Sequence, residues 1–176
     1  MDISKLSAQL GKFSDMKARL PPVQDWTPEL SGQIDIEIKQ DCRWFHEGDE
    51  IKREKLVRIF STILKREGDD YFLVTPVEKW QIKVADTPFE IVLADISLDS
   101  GKPVIQLMTN SGDEVQLNLD HPLILEGGGV PKVEVRNGLM ARLGRNVYYQ
   151  LADRAVEHDG EYRVESAGSW FVLSGD

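Results

Sequence analysis

The sequence contains one cysteine, Cys42, in 176 residues. A lone thiol excludes an internal disulfide and any cysteine-built metal cluster, and it fits a reducing compartment. Histidine is almost as scarce. His46, His121 and His158 stand far apart, and neighbours such as Glu47 and Asp159 supply no ligand spacing, so no zinc site is expected. No apolar run approaches the roughly 20 residues that span a bilayer. Residues 1–20 have no apolar core flanked by positive charge, so no signal peptide is expected and the chain reads as cytoplasmic. Positive charge is in deficit, with 21 Lys and Arg against 30 Asp and Glu, a net charge of −9. Phosphate backbones and anionic lipid heads repel such a surface, which argues against general nucleic-acid or membrane-surface binding. A local basic pocket for a small anion stays open.

Catalytic signatures are missing too. Ser61 lies inside a helical run, not on a nucleophile elbow, and its hydroxyl is expected to bond back to the helix. Cys42 has no base close to it in sequence. Gly127, Gly128 and Gly129 lack the Lys-Ser/Thr or the spaced glycines of a phosphate loop. With no nucleophile, base or metal set to assemble, an enzyme is not the expected reading.

What is present is ordinary globular material, 41% hydrophobic and 29% charged, enough for one domain or two small ones sharing a core. The organising stretch is residues 53–79. Leu56, Val57, Phe60, Ile63 and Leu64 recur at helical spacing, predicting a helix over residues 53–66 that closes at Gly68. An apolar strand over residues 71–74 follows. Ahead of this stretch, Ile3, Leu6, Leu10, Phe13, Met16 and Leu20 form one helical stripe that Pro21 and Pro22 stop.

Ile34, Ile36 and Ile38 alternate with charged residues, the mark of a half-buried strand, and residues 43–46 return from it. Trp80, Ile82 and Val84 alternate again, and residues 89–93 make another strand. Residues 104–108 and 115–119 flank the turn residues 110–113, a hairpin. Leu139, Met140, Leu143, Val147, Tyr148, Leu151 and Ala155 predict a second helix, with Asn137 as its N-cap. Residues 162–165 and 170–173 suggest a closing hairpin.

Residues 34–74 and 104–173 share the order hairpin, Arg, helix, Gly, strand, which reads as an internal duplication. The predicted fold is α+β, with two packed β-rich halves and one main helix in each. The segments are an N-terminal amphipathic helix (1–22), a first repeat (23–94) and a second repeat (95–176).

Both repeats place an arginine at the expected mouth of a helix, Arg53 and Arg136. A cation there opposes the helix macrodipole by roughly 0.3–1 kcal/mol when exposed. Either an anionic ligand or an ion pair offsets that, with Glu78 the candidate partner of Arg53. Residues 75–79 form a polar corner past a strand end. Pro76 interrupts the ladder, Thr75 has a hydroxyl to donate, Lys79 brings charge, and Glu78 can orient an arginine. A plain turn with a solvated Lys and Glu is the alternative. Tyr149 points off the apolar stripe carrying Tyr148, towards an interface or a pocket.

The run 56–64, followed by Tyr71-Phe72-Leu73-Val74-Thr75-Pro76-Val77-Glu78-Lys79, resembles an uncharacterised bacterial family, a domain of unknown function catalogued as DUF-1285. Asp86-Thr87-Pro88-Phe89, His121-Pro122-Leu123, Val135-Arg136-Asn137-Gly138-Leu139, Ala141-Arg142-Leu143 and Val147-Tyr148-Tyr149 add to the match, which runs from about Pro21 to the end of the chain. The resemblance implies a duplicated two-part fold whose C-terminal half is pleckstrin-homology-like. It also implies a pocket where the halves meet, with a nucleotide-like ligand and a role in signalling. Arg53, Thr75, Pro76, Glu78, Lys79, Arg136, Arg142 and Tyr149 are then the candidate ligand-binding residues. Two functions follow as expectations. One is a non-catalytic module sensing a small anionic ligand, with no cofactor identified. The other is a protein-interaction adaptor whose arginines are structural.

Overall fold

The computed structural model describes residues 20–175 together with Ile3 and Ala8, and the helix expected over residues 1–22 falls almost wholly outside them. The chain divides into two compact units, Met1–Asp86 and Thr87–Asp176. A boundary after residue 94 would instead cut a continuous strand, Phe89–Asp99.

In the first unit the isoleucine alternation works as expected. Ile34, Ile36 and Ile38 form the buried side of β1 (Leu30–Ile38). Strands β2 (Trp44–His46) and β3 (Asp49–Glu50) fold back from it as an antiparallel meander. Helix α1 (Glu54–Thr62) follows and buries Phe60 near Trp44, with ring centroids 6.1 Å apart. A second meander consists of β4 (Leu64–Glu67), β5 (Asp70–Val74) and β6 (Lys79–Val84). The two meanders join where β1 and β6 pair in parallel, giving the order β3-β2-β1-β6-β5-β4. On the side of β5 away from Leu73, the short turn Val23–Asp25 and Trp26 cover Phe72 and Val74.

This corrects the expected helix over residues 53–66. The helix stops at Thr62, and residues 64–67 leave as β4, with Leu64 opposite Leu73. Strand pairing satisfies the β4 backbone groups and leaves Leu64 buried. Gly68, at φ 62, turns the β4–β5 hairpin and does not cap a helix.

The second unit repeats the plan. Strands β7 (Phe89–Asp99), β8 (Lys102–Thr109) and β9 (Glu114–Gln116) form one meander; β10 (Leu123–Ile124), β11 (Lys132–Arg136) and β12 (Leu139–Leu143) form the other. Again the first strand lies parallel to the last, β7 beside β12, in the order β10-β11-β12-β7-β8-β9. Helix α2 (Arg145–Ala152) and a three-stranded sheet, β13 (Val156–His158), β14 (Glu161–Ser166) and β15 (Ser169–Ser174), follow. Buried Ser166 ties that sheet down: its hydroxyl accepts from Ile105 N–H at 3.0 Å and donates to Leu117 O at 2.6 Å.

The duplication therefore lies in the sheets, and the expected alignment of helices is corrected. Helix α1 sits between two meanders, whereas α2 comes after both. The second helix is also shorter than expected, because Leu139, Met140 and Leu143 belong to β12. Asn137 (φ 49) and Gly138 (φ 76) make a two-residue hairpin loop, so Asn137 caps no helix. The pairs Glu47–Gly48, Ser100–Gly101, Asp159–Gly160 and Ala167–Gly168 share this double positive φ, which lets a two-residue turn follow the right-handed strand twist. No helix among the described residues is long and apolar enough to cross a membrane.

Candidate functional site

The corner after β5 is a closed turn. Thr75 is buried; its N–H donates to Glu78 O at 2.8 Å, and its hydroxyl oxygen accepts from Glu78 N–H at 3.0 Å and Val77 N–H at 3.4 Å. The turn it shapes leaves Pro76 and Val77 exposed and Glu78 half-buried. Thr75 thus spends its hydroxyl oxygen on its own backbone, and Glu78 pairs with no arginine among the described residues.

Lys79 opens β6 beside this turn. Its ammonium hydrogen-bonds Glu67 Oε2 and lies 4.3 Å from the Phe72 ring centroid. Buried Lys65 approaches the other oxygen of the same carboxylate at 3.5 Å and donates to Trp26 O at 3.1 Å. The register places these groups together: Lys65 is opposite Phe72, Phe72 is opposite Gln81, and Lys79 is opposite Val74. The hydrogen bond from Lys79, outweighing partial burial, holds the Glu67 carboxyl below the usual carboxylate range. Two cations share one anion here, leaving a net positive charge against an aromatic ring.

Arg53 lies elsewhere in the first unit. It is exposed, flanks the first residue of α1, and makes no ion pair among the described residues, so Glu78 is not its partner.

The second unit treats its candidates differently. Arg136 ends β11 and is not at a helix mouth, so the macrodipole does not explain its position. Its Nε is 3.3 Å from Asp113 Oδ1, with the two side chains 14% and 13% exposed, and its guanidinium lies 5.0 Å from the Phe89 ring centroid. Burial lowers the guanidinium pKa while Asp113 opposes that shift. Asp113 is itself held: Oδ2 accepts from Ser111 Oγ at 2.6 Å and Thr109 Oγ1 at 3.3 Å, and its N–H donates to Thr109 Oγ1 at 2.9 Å. Arg142 stands beside Glu90 across the parallel β12–β7 pair, with Nε 4.0 Å from Oε1. Tyr149 is exposed on α2, edge-on to Tyr148 and under the Arg145 guanidinium.

Thr75, Pro76, Glu78 and Lys79 thus come together in the first unit. Sequence reasoning missed Lys65, Glu67 and Asp113. Period-2 spacing over residues 64–67, with Lys65 and Glu67 on one side of a strand, was the available signal for the first two. Asp113 offered none, because its partner is 23 residues away across two strands.

Two family models match the chain. One, described as the N-terminal domain of a domain of unknown function (DUF1285), covers residues 21–87. The other, the C-terminal domain of a protein of unknown function (DUF1285), covers residues 88–173. Among solved structures, a DUF1285 family protein from Silicibacter pomeroyi DSS-3 is similar over 94% of each chain, at 36% identity and a TM-score of 0.81. Another, from Shewanella baltica OS155, is similar over 67% of this chain and 90% of its own, at 26% identity and a TM-score of 0.55. No curated protein matches.

Proposed function

The chain belongs to the DUF1285 family, and on that premise we propose that it is a non-catalytic binding module for a small anionic ligand. One observation supports this reading above others: Lys65 and Lys79 share the single carboxylate of Glu67 beside the Phe72 ring. A carboxylate or phosphate arriving there pairs the surplus charge and competes with Glu67 for Lys79. The lysine side chains are 10% and 17% exposed, so water screens them less than it screens a surface pair. Arg136 and Arg142, each beside a carboxylate, are structural in this reading. A nucleotide-like ligand, a role in signalling and a pleckstrin-homology-like second unit are its finer parts, carried by resemblance, and a cytoplasmic location is a further part, carried by the lone cysteine and the character of residues 1–20.

The test is calorimetric titration with inorganic phosphate, citrate and adenosine monophosphate. At least one binds; Lys79→Gln weakens it about tenfold, the loss of one charge-assisted contact. Glu67→Gln tightens it by removing the internal competitor. Binding unmoved by both substitutions overturns the proposal. The adaptor reading rests on a different feature, the exposed Val156, Tyr162 and Trp170 of the terminal sheet. It predicts no heat from any of the three probes.

A further inference from the structure

Two residues just before α1 and two in its first two turns form a cluster of cations that no described residue pairs with. Lys52, Arg53, Lys55 and Arg58 are all exposed, and Glu54 is the single acidic residue among residues 51–58. None of the four cations makes an ion pair among the described residues, not even Arg58 with Glu54, one turn away. Elsewhere in the same unit, Arg43, Lys65, Arg66 and Lys79 each face a carboxylate and Lys39 lies over the Phe45 ring, which leaves Lys83, among the described residues, as a single exposed cation apart from the cluster. Cations at the start of a helix oppose its macrodipole, so the row works against the helix that carries it.

We infer that this cluster at the start of α1 docks a short acidic segment of a protein partner. The occupant follows from charge and size. Residues 54–58 rise about 6 Å along the helix axis and Lys52 and Arg53 directly precede them, so the cluster is comparable in size with the Debye length of about 8 Å at physiological salt. A ligand of that length meets only the local row. A nucleic acid or an anionic bilayer extends well beyond it and meets the net charge of −9. The Leu56, Val57 and Phe60 side of the helix turns inward, which leaves the row on a rigid backbone. This inference does not depend on the small-anion reading, because it uses none of Lys65, Glu67 or Lys79.

Fluorescence anisotropy of a labelled peptide of about eight alternating Asp and Glu residues against the full chain tests it. The peptide binds and weakens as salt rises through the physiological range. The double variant Lys55→Glu with Arg58→Glu weakens it at least about tenfold, as expected when two of four modest pairs turn repulsive. Glutamate at position 55, in the first turn, suits the macrodipole and position 58 is exposed, so this variant stays folded, and far-UV circular dichroism checks that. Lys79→Gln leaves peptide binding unchanged, which separates failure here from failure of the anion proposal. Three results overturn the inference: no peptide binding, binding indifferent to the double variant, or equal binding of oligothymidylate or of phosphatidylserine-containing vesicles.

Discussion

At the corner between β5 and β6, Lys79 shares with Lys65 a carboxylate whose side chain is 40% exposed. At the equivalent corner of the second unit, between β11 and β12, Arg136 lies against Asp113 with both side chains nearly out of solvent. The strand ladders around the two corners are the same: two meanders, closed by a parallel pair between first and last strands. Backbone pairing conserves that plan without regard to which side chain stands at a turn. The side chains are therefore free to diverge, one corner towards a lock and the other towards an unbalanced charge. The charge balance diverges as well. The first unit has fourteen Lys and Arg against sixteen Asp and Glu, and the second has seven against fourteen.

The sharpest way to break this comparison is at the parallel seams. A Cβ at Gly144 would lie 2.6 Å from Ile91 O, a backbone atom that cannot yield. Gly144→Ala is expected to lower stability by about 3 kcal/mol or more, read from the urea midpoint. The seam of the first unit is softer. A Cβ at Gly32 meets only the Trp80 ring, at 3.3 Å, although φ 140 is itself strained for any other residue. Gly32→Ala is expected to lose about 2 kcal/mol.

The corners come next. Asp113→Ala removes a carboxylate that faces the poorly solvated Arg136 and takes away the acceptor of Ser111, for a loss of about 2–3 kcal/mol. Glu67→Gln removes a far more exposed pair and is expected to change stability by less than about 1 kcal/mol. Similar losses at the two sites would erase the distinction between lock and open corner. Acid sharpens the contrast. The Glu67 carboxyl is held below its ordinary 4.5 by the Lys79 hydrogen bond. Its contribution is thus complete above about pH 4.5 and lost as pH falls through the lowered value. The stability gap between the parent chain and Glu67→Gln should stay constant from neutral pH down to that point, then shrink in urea melts at lower pH.

The smallest effect concerns a turn. Ala167 adopts φ 51 where its structural counterpart in the β11–β12 turn is Asn137. Ala167→Asn should raise the melting temperature, with a gain of about 0.5–1 kcal/mol from relieved left-handed strain.

Much of this was legible in the residues. Ile34, Ile36 and Ile38 announce β1, the turn residues 110–113 announce β8 and β9, and Gly160 announces the β13–β14 turn. The helix ends were not legible. Leu56, Val57, Phe60, Ile63 and Leu64 keep helical spacing across a junction where α1 gives way to β4. Leu139, Ala141 and Leu143 satisfy period two while Leu139, Leu143 and Val147 satisfy period four, so two patterns overlap. Partners distant in sequence chose between them, Leu73 for Leu64 and Phe89 for Ala141. The candidate corner followed the same rule. Lys79 was visible beside a strand end, but Lys65 read as helix and Glu67 as the link from it to Gly68, and so their meeting with Lys79 was hidden.

By itself the sequence determined the β-rich halves, several of their strands and hairpins and the acidic balance, because each depends on neighbours within a few residues. The tertiary structure alone decided where the helices stop, that each sheet closes first strand against last, and which carboxylate meets which cation. Those outcomes depend on pairings between segments tens of residues apart, whose free energy no local pattern contains.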